Sequence, residues 1–197
     1  MLQFSRTKFH SVIKLPEKYE IYDFTKGYDA DRMRESQYGI GKYNEKRIGM
    51  YEHEIFQANE RNIHVGVDIA APIGTEVYAF AEGKIFLFDY NPAEGDYGHT
   101  LITEHEIESQ KFYALFGHLS KKSVDGKVKG QGFDRGDVIA WIGDKHENGG
   151  WNPHLHFQLS INAPTKADLP GVVAEKDLAE ALKNFPDPRI VLGRVYE

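Results

Sequence analysis

The chain contains no cysteine. That absence removes disulfides, thiolate metal ligands and cysteine nucleophiles together, so any bound metal must be held by His, Asp or Glu; it says little about compartment. Apolar runs of about 18 residues, the length a membrane-spanning helix needs, are also lacking. The opening stretch, MLQFSRTKFHSVIKLPEKYE, mixes charge with apolar residues and has neither the apolar core nor the small-residue cleavage site of a secretory leader. As read, the chain is expected to be cytoplasmic, and secreted or periplasmic if a leader had been trimmed from it. A basic stripe is missing too: 24 Lys and Arg are scattered among 30 Asp and Glu, for a formal charge of -6. Nucleic acid is therefore not an expected partner. Neither internal repeats nor low-complexity tracts occur.

What is present fits one folded domain with extensions: 197 residues, 41% hydrophobic and 27% charged. Residues 1–60 are polar with only short apolar runs, and read as an N-terminal extension that wraps or covers something larger. Within it, GIGKYNEKR (Gly39 to Arg47) has the composition of a turn or loop. Residues 61–162 carry short β-type runs, TEVYAFAEGKIFLFDY, HTLITEHEI, KFYALFGHL, VIAWIGD and HLHFQLSI, in which β-branched and aromatic residues are frequent. Val77, Ala79 and Ala81 alternate with Glu76, Tyr78 and Phe80. Gly74, Gly83, Gly98, Gly117 and Gly136 punctuate the runs at hairpin-like intervals. The expected fold is mainly β, an antiparallel sheet or sandwich. Residues 163–197 add a helix and tail, since Ala174, Leu178, Ala181, Leu182 and Phe185 form a stripe at helical spacing that Pro186 stops.

Four of the nine histidines fall in three short phrases, HVGVD (His64 to Asp68), GHLS (His118) and PHLHF (His154 and His156). In a strand, the two imidazoles of HLH share one face about 6.8 Å apart, with Leu155 and Phe157 turned into the other layer. Two exposed histidines on a half-buried strand would read the same way. His64 and Asp68 would lie roughly 13 Å apart in a straight strand, too far to share an ion. Gly66 lies midway and has no Cβ to forbid a bulge or a positive φ; otherwise the pair is a strand followed by a solvent-facing Asp. Two histidines and a carboxylate leave a fourth tetrahedral position for water, the ligand count of a catalytic zinc. His118 could stabilise an oxyanion or move a proton, or could be a loop histidine. His10, His53 and His146 read as surface residues, and His99 and His105, on one side of a strand, read first as structural residues and second as pocket or supporting ones.

Taken in order, HVGVD, FGHLS and HLH resemble the signature of the LytM/lysostaphin-type zinc metallopeptidases: H-x-x-x-D, a Y/F-x-H-L strand, then H-x-H. PIGTEVYAFAEGKI, YGHTLITEH and FDRGDVIAWIG are similar to that family's framework phrases, over about Ile63 to Ser160. The resemblance implies a duplicated hybrid motif domain of antiparallel β-structure with a metal-centred groove. It also implies Zn2+ bound by His64, Asp68 and His156, catalytic roles for His118 and His154, and a peptide or peptidoglycan-like substrate cut at an amide bond. KHENGGWNP departs from the family's small-residue turn before H-x-H, placing Asn148 and Trp151 at one wall of the groove, and His99 stands where a small polar residue is expected. GIGKYNEKR and NFPDPRIVLG resemble the metallopeptidase-like domain fused to class III aminotransferases, which implies a cytoplasmic, non-peptidoglycan substrate. Two other functions stand beside hydrolysis: a non-catalytic zinc-binding or regulatory module, and a phosphocarrier, for which Asp68 and H-x-H have no use. Some family members are latent because an N-terminal segment supplies a fourth ligand; Asn44, Glu45, His53 or Asn59 would do so here.

Overall fold

A computed structural model describes residues 2–29, 31, 37–57 and 60–197. Among these residues thirteen strands run in the order β1 (Glu20–Ile21), β2 (Gly39–Gly41), β3 (Glu45–Lys46), β4 (Ile63–His64), β5 (Val67–Ala70), β6 (Glu76–Tyr78), β7 (Gly83–Asn91), β8 (Gly98–Ile107), β9 (Gln110–Leu119), β10 (Gly132–Phe133), β11 (Val138–Trp141), β12 (His154–Ser160) and β13 (Val172–Val173). The described residues also include three short α-helices, α1 (Glu54–Gln57), α2 (Leu178–Asn184) and α3 (Arg189–Leu192). The protein is mainly β. One eight-stranded sheet has the order β1-β2-β5-β12-β9-β8-β7-β10, and two smaller sheets are β11-β6 and β13-β4-β3. Apart from the parallel pair β1/β2, neighbouring strands are antiparallel.

Side-chain alternation across the large sheet separates packing from chemistry. Val67 and Ile69 of β5, Leu155 and Phe157 of β12, and Ala114 and Phe116 of β9 enter one apolar cluster with Val77, Ile139 and Ala140 of the small sheet. Each fully buried Phe or Leu there contributes roughly 1.5–3 kcal/mol. Asp68, His154 and His156 occupy the intervening positions and face the other side. Leu155 and Phe157 thus lie where strand geometry predicted.

Several local expectations are corrected. GIGKYNEKR is two short strands around a turn, because Gly39–Gly41 pairs with β5 and Glu45–Lys46 with β4. Its backbone hydrogen bonds go to neighbours far along the chain, which composition does not report. The alternation at Val77–Ala81 ends with β6: Tyr78 and Phe80 are buried along with Val77 and Ala79. The N-terminal segment covers their face, with Tyr78 N–H donating to Val12 O at 2.9 Å and His10 N–H to Phe80 O at 2.8 Å. Gly117 marks no turn but lies inside β9, where a Cβ would stand 2.6 Å from Tyr97 Cδ1. The C-terminal helix is shorter than its stripe. Ala174 is extended at φ -78°, ψ 157°, Glu175–Asp177 is a 3-10 turn, and Phe185 ends α2 at φ -119°.

His99 and His105 serve packing. His105 stacks on Phe112 and tilts against Phe80, with Nδ1 2.8 Å from Glu82 O and Nε2 2.7 Å from Thr103 Oγ1; His99 stacks on Tyr90. Burial pushes His105 down from 6.5 to about 4, so the folded chain holds it neutral. Its stabilising contribution is complete above the unfolded value and is lost as pH falls towards the folded one, reaching about 3 kcal/mol at full protonation. Urea unfolding at pH 7 and pH 4.5 is expected to show a larger acid loss in the native protein than in His105→Gln. Equal losses would remove His105 as a contributor.

Candidate metal centre

Three strands bring the donors together. β4 ends at His64, the chain bends at Val65 and Gly66, and β5 restarts at Val67. The bend lets His64 Nε2 come within 3.2 Å of Asp68 Oδ1, although the two are four residues apart. β12 pairs with β5 so that His156 stands directly opposite Asp68, and His156 Nδ1 lies 3.0 Å from Asp68 Oδ1 and 3.1 Å from His64 Nε2. The bend expected at Gly66 is present, but one of the two reasons expected for glycine there is not. Its φ is not positive; a Cβ there would stand 2.5 Å from His156 Cε1 and 2.6 Å from Nε2. Close packing of the ring, not a left-handed backbone, requires it.

These separations test the site for a metal. A tetrahedral ion with bonds near 2.0 Å has ligand atoms about 3.3 Å apart, close to the triangle of 3.0, 3.1 and 3.2 Å seen here. The far nitrogens have acceptors behind them: His156 Nε2 donates to Gln158 Oε1 at 2.9 Å, and His64 Nδ1 lies 2.9 Å from Lys42 O. His64 Nδ1 is also 2.8 Å from Arg47 Nη2. It can donate to the carbonyl or accept from the guanidinium, not both, and donation is the form that turns the Nε2 lone pair inward. Burial first, then Arg47, push His64 down to about 4, keeping it neutral. Burial works against ionised Asp68, but its contacts with His64, Arg47 and His156 outweigh it, and the carboxyl titrates well below its ordinary range. Among the described residues, these three form the cluster of His and carboxylate atoms close enough to share an ion.

His118 and His154 stand beside the triangle with ring centroids 4.2 Å apart. A β-bulge opposite His99–Leu101 sets His118 at φ 62°, a left-handed conformation uncommon for a non-glycine residue. Its Nδ1 donates to Asn148 O at 2.7 Å, and His154 Nδ1 to Asn152 O at 2.7 Å. Each Nε2 is thereby left as an acceptor, His154 Nε2 lying 3.8 Å from Asp68 Oδ1. Burial, then the neighbouring histidines, hold His118 well below its ordinary value; burial also lowers His154. The departure KHENGGWNP is the loop that holds His118. Asn148 is fully buried and clasps Trp151, accepting from its N–H at 3.0 Å and donating to its carbonyl at 3.0 Å.

Two residues at the site escaped the sequence. Tyr97 packs 5.0 Å from His156 and 5.5 Å from His118, centroid to centroid, and burial pushes its phenol well up, so it remains a hydroxyl donor. It precedes Gly98 in the YGHTLITEH phrase, which is the signal that could have marked it. Arg47 donates to Asp68 Oδ2 at 2.7 Å, and no spacing in the sequence points to it. The proposed fourth-ligand residues lie elsewhere: Asn44 is exposed in a turn at φ 52°, Glu45 faces Arg47 and Lys42, His53 packs on Trp151, and Asn59 lies outside the described residues. The triangle opens into a cavity of about 370 Å³ walled by Tyr51, Phe56, Arg61, Trp151, Lys166 and Asp168; His99 and His105 do not line it.

The model of Peptidase family M23 matches residues 62–168, the stretch that holds His64, Asp68, His118, His154 and His156. The chain belongs to peptidase family M23. This M23 chain is 33% identical over 135 residues to the DD-carboxypeptidase/endopeptidase Mpg of Neisseria meningitidis serogroup B, covering 61% of this chain and 28% of that protein. It is 39% identical over 111 residues to the peptidoglycan DD-endopeptidase ShyB of Vibrio cholerae, covering 54% and 24%. It thus spans less than a third of the length of these relatives. Among solved structures, the catalytic domain of lysostaphin from Staphylococcus simulans is similar at 25% identity, with 73% of this chain and 95% of that one covered and a TM-score of 0.47. A zinc-containing peptidase from Vibrio cholerae gives 31% identity, 60% and 32% coverage and a TM-score of 0.44.

Proposed function

We propose that this chain is a zinc-dependent hydrolase of peptide amide bonds, with zinc held by His64, Asp68 and His156. The observation that carries the reading is the triangle of donor atoms separated by 3.0 to 3.2 Å, with two further imidazoles presenting acceptor nitrogens beside it. When bound, zinc supplies Lewis acidity towards a carbonyl and a water nucleophile available near neutral pH. His118 and His154, neutral and anchored through Nδ1, are placed to take a proton from that water and pass it to the leaving amine. Tyr97 supplies a neutral donor for the developing oxyanion.

The substrate proposed is a peptide of the peptidoglycan type, because one of the similar proteins, ShyB, is a peptidoglycan DD-endopeptidase. The cavity favours a second reading of substrate size. Its volume of about 370 Å³ is within the range of small-ligand sites, and accommodates a short peptide or small amide of the kind that the resemblance to aminotransferase-fused domains implies. The test is metal analysis of the purified chain, followed by cleavage assays on stem-type and glycine-rich peptides with and without a chelator. One zinc per chain, cleavage lost on chelation and cleavage regained with added zinc are expected. A chain without stoichiometric zinc that added zinc cannot activate would overturn the proposal, and a zinc-loaded chain with no turnover on any peptide would mark a binding module instead.

A further inference from the structure

Asp68 presents its two oxygens to different neighbours. Oδ1 lies 3.0 Å from His156 Nδ1 and 3.2 Å from His64 Nε2, while Oδ2 accepts from Arg47 Nη1 at 2.7 Å. Resting on the metal-centre reading above, we infer that Arg47 is a positioning residue which keeps Asp68 a one-oxygen ligand, so that the coordination position facing the cavity stays open.

The fold gives Arg47 little freedom to do anything else. β3 pairs with β4 in the register Glu45↔His64, and Arg47 N–H donates to Asn62 O at 2.8 Å, fixing the backbone beside the site. The side chain is 1% exposed. Its Nη1 also donates to Tyr51 OH at 2.8 Å and its Nε to Glu45 Oε2 at 3.2 Å, while the guanidinium lies 4.9 Å from the centroid of the Phe24 ring. A planar fork held on several sides presents its donors in fixed directions: Nη1 meets Asp68 Oδ2, while Nη2 lies 2.8 Å from His64 Nδ1 and 3.5 Å from Lys42 O. Lys42 Nζ stands 3.3 Å from Glu45, so Glu45 has a second cation and does not draw Arg47 away from Asp68.

The alternative geometry explains why this matters. A carboxylate turned by a small torsion can offer both oxygens to one cation, adding a ligand and filling the position a catalytic centre leaves for water or substrate. The hydrogen bond to Oδ2 opposes that torsion. Arg47 also places a fixed positive charge next to the ligand carboxylate, which weakens cation binding while holding geometry. Removing it is therefore expected to separate metal retention from turnover, a separation that general loss of structure does not produce.

The experiment compares the full chain with Arg47→Gln and Arg47→Lys. Zinc affinity is measured by competition with a chromophoric chelator, coordination number by the visible absorption of the cobalt(II)-loaded protein, and kcat and KM on the peptide the native chain cleaves. For Arg47→Gln, zinc should be held as tightly as in the native chain or more tightly. The cobalt bands should weaken several-fold, as coordination rises from four to five, and kcat should fall by about 10–100-fold with KM less affected, the range for groups that orient ligands. Arg47→Lys, keeping the charge and one donor, should lie between, and it carries the test if Arg47→Gln does not fold. An unchanged cobalt spectrum, an unchanged kcat, or zinc affinity falling in parallel with kcat overturns the inference. Failure of the native chain itself to bind zinc or cobalt instead removes the metal-centre reading.

Discussion

Replacing His118 with alanine is expected to lower kcat for amide cleavage by about 10²–10⁴-fold while leaving zinc content unchanged. His118 contributes no atom to the cluster of His64, Asp68 and His156, so the ion should remain. Its ring lies 4.2 Å from that of His154, and its Nδ1 hydrogen bond to Asn148 O holds Nε2 ready to accept a proton. The backbone strengthens the expectation. A residue held at φ 62° stores strain of about 1–3 kcal/mol, which a purely structural histidine in a loop has no reason to retain. Alanine suffers the same backbone strain, so His118→Asn, better suited to the left-handed region, is the companion variant that separates chemistry from folding. Loss of turnover with full zinc in both variants supports the assignment; native turnover in either one removes His118 from the chemistry and leaves His154 as the base.

The second large effect is expected at a residue with no side chain. Gly66→Ala would place a methyl group 2.5 Å from His156 Cε1, 2.6 Å from Nε2 and 3.1 Å from the backbone oxygen of Phe157. None of these neighbours moves easily: the ring is tied to Gln158 at 2.9 Å, and Phe157 is a fully buried core residue in the middle of β12. Overpacking of this kind costs about 1–3 kcal/mol of stability, and a displacement of about 1 Å at a reacting centre can cost about 10²-fold in rate. Urea unfolding together with chelator competition should show both effects, with zinc affinity falling alongside kcat. An alanine variant with native zinc affinity and native kcat would contradict the close approach of His156 to Gly66.

These two residues also show where reading the sequence succeeds and where it stops. The strands of the sheet centre were legible because their apolar residues recur on one face: Leu155 and Phe157 point to the core and His154 and His156 away from it. The donor phrases were legible because the chemistry requires particular residue types, and geometry alone demanded a bend between His64 and Asp68. Only part of the reason for glycine in that bend was legible, since the neighbour that excludes a Cβ at Gly66 comes from a strand 90 positions later in the chain. Arg47 was invisible for the same reason. Its partners Asp68, Tyr51 and Glu45 are assembled by pairing β3 with β4, and Gly39 to Arg47 looks like a loop when its ladder partners are unknown. The helical stripe overran α2 because Ala174 is apolar for a different purpose, burial in an extended segment before the first turn.

The pairing of His156 with Asp68 across β12 and β5 ties two properties that are usually separate. Sliding β12 by one position would turn the imidazoles into the oily layer and bring Leu155 and Phe157 to water, exchanging the two faces of the strand. The apolar residues of β12 therefore act as the alignment key for its donors. A chain that has buried its aromatic side chains correctly has, by that act alone, already set the distance between carboxylate and imidazole.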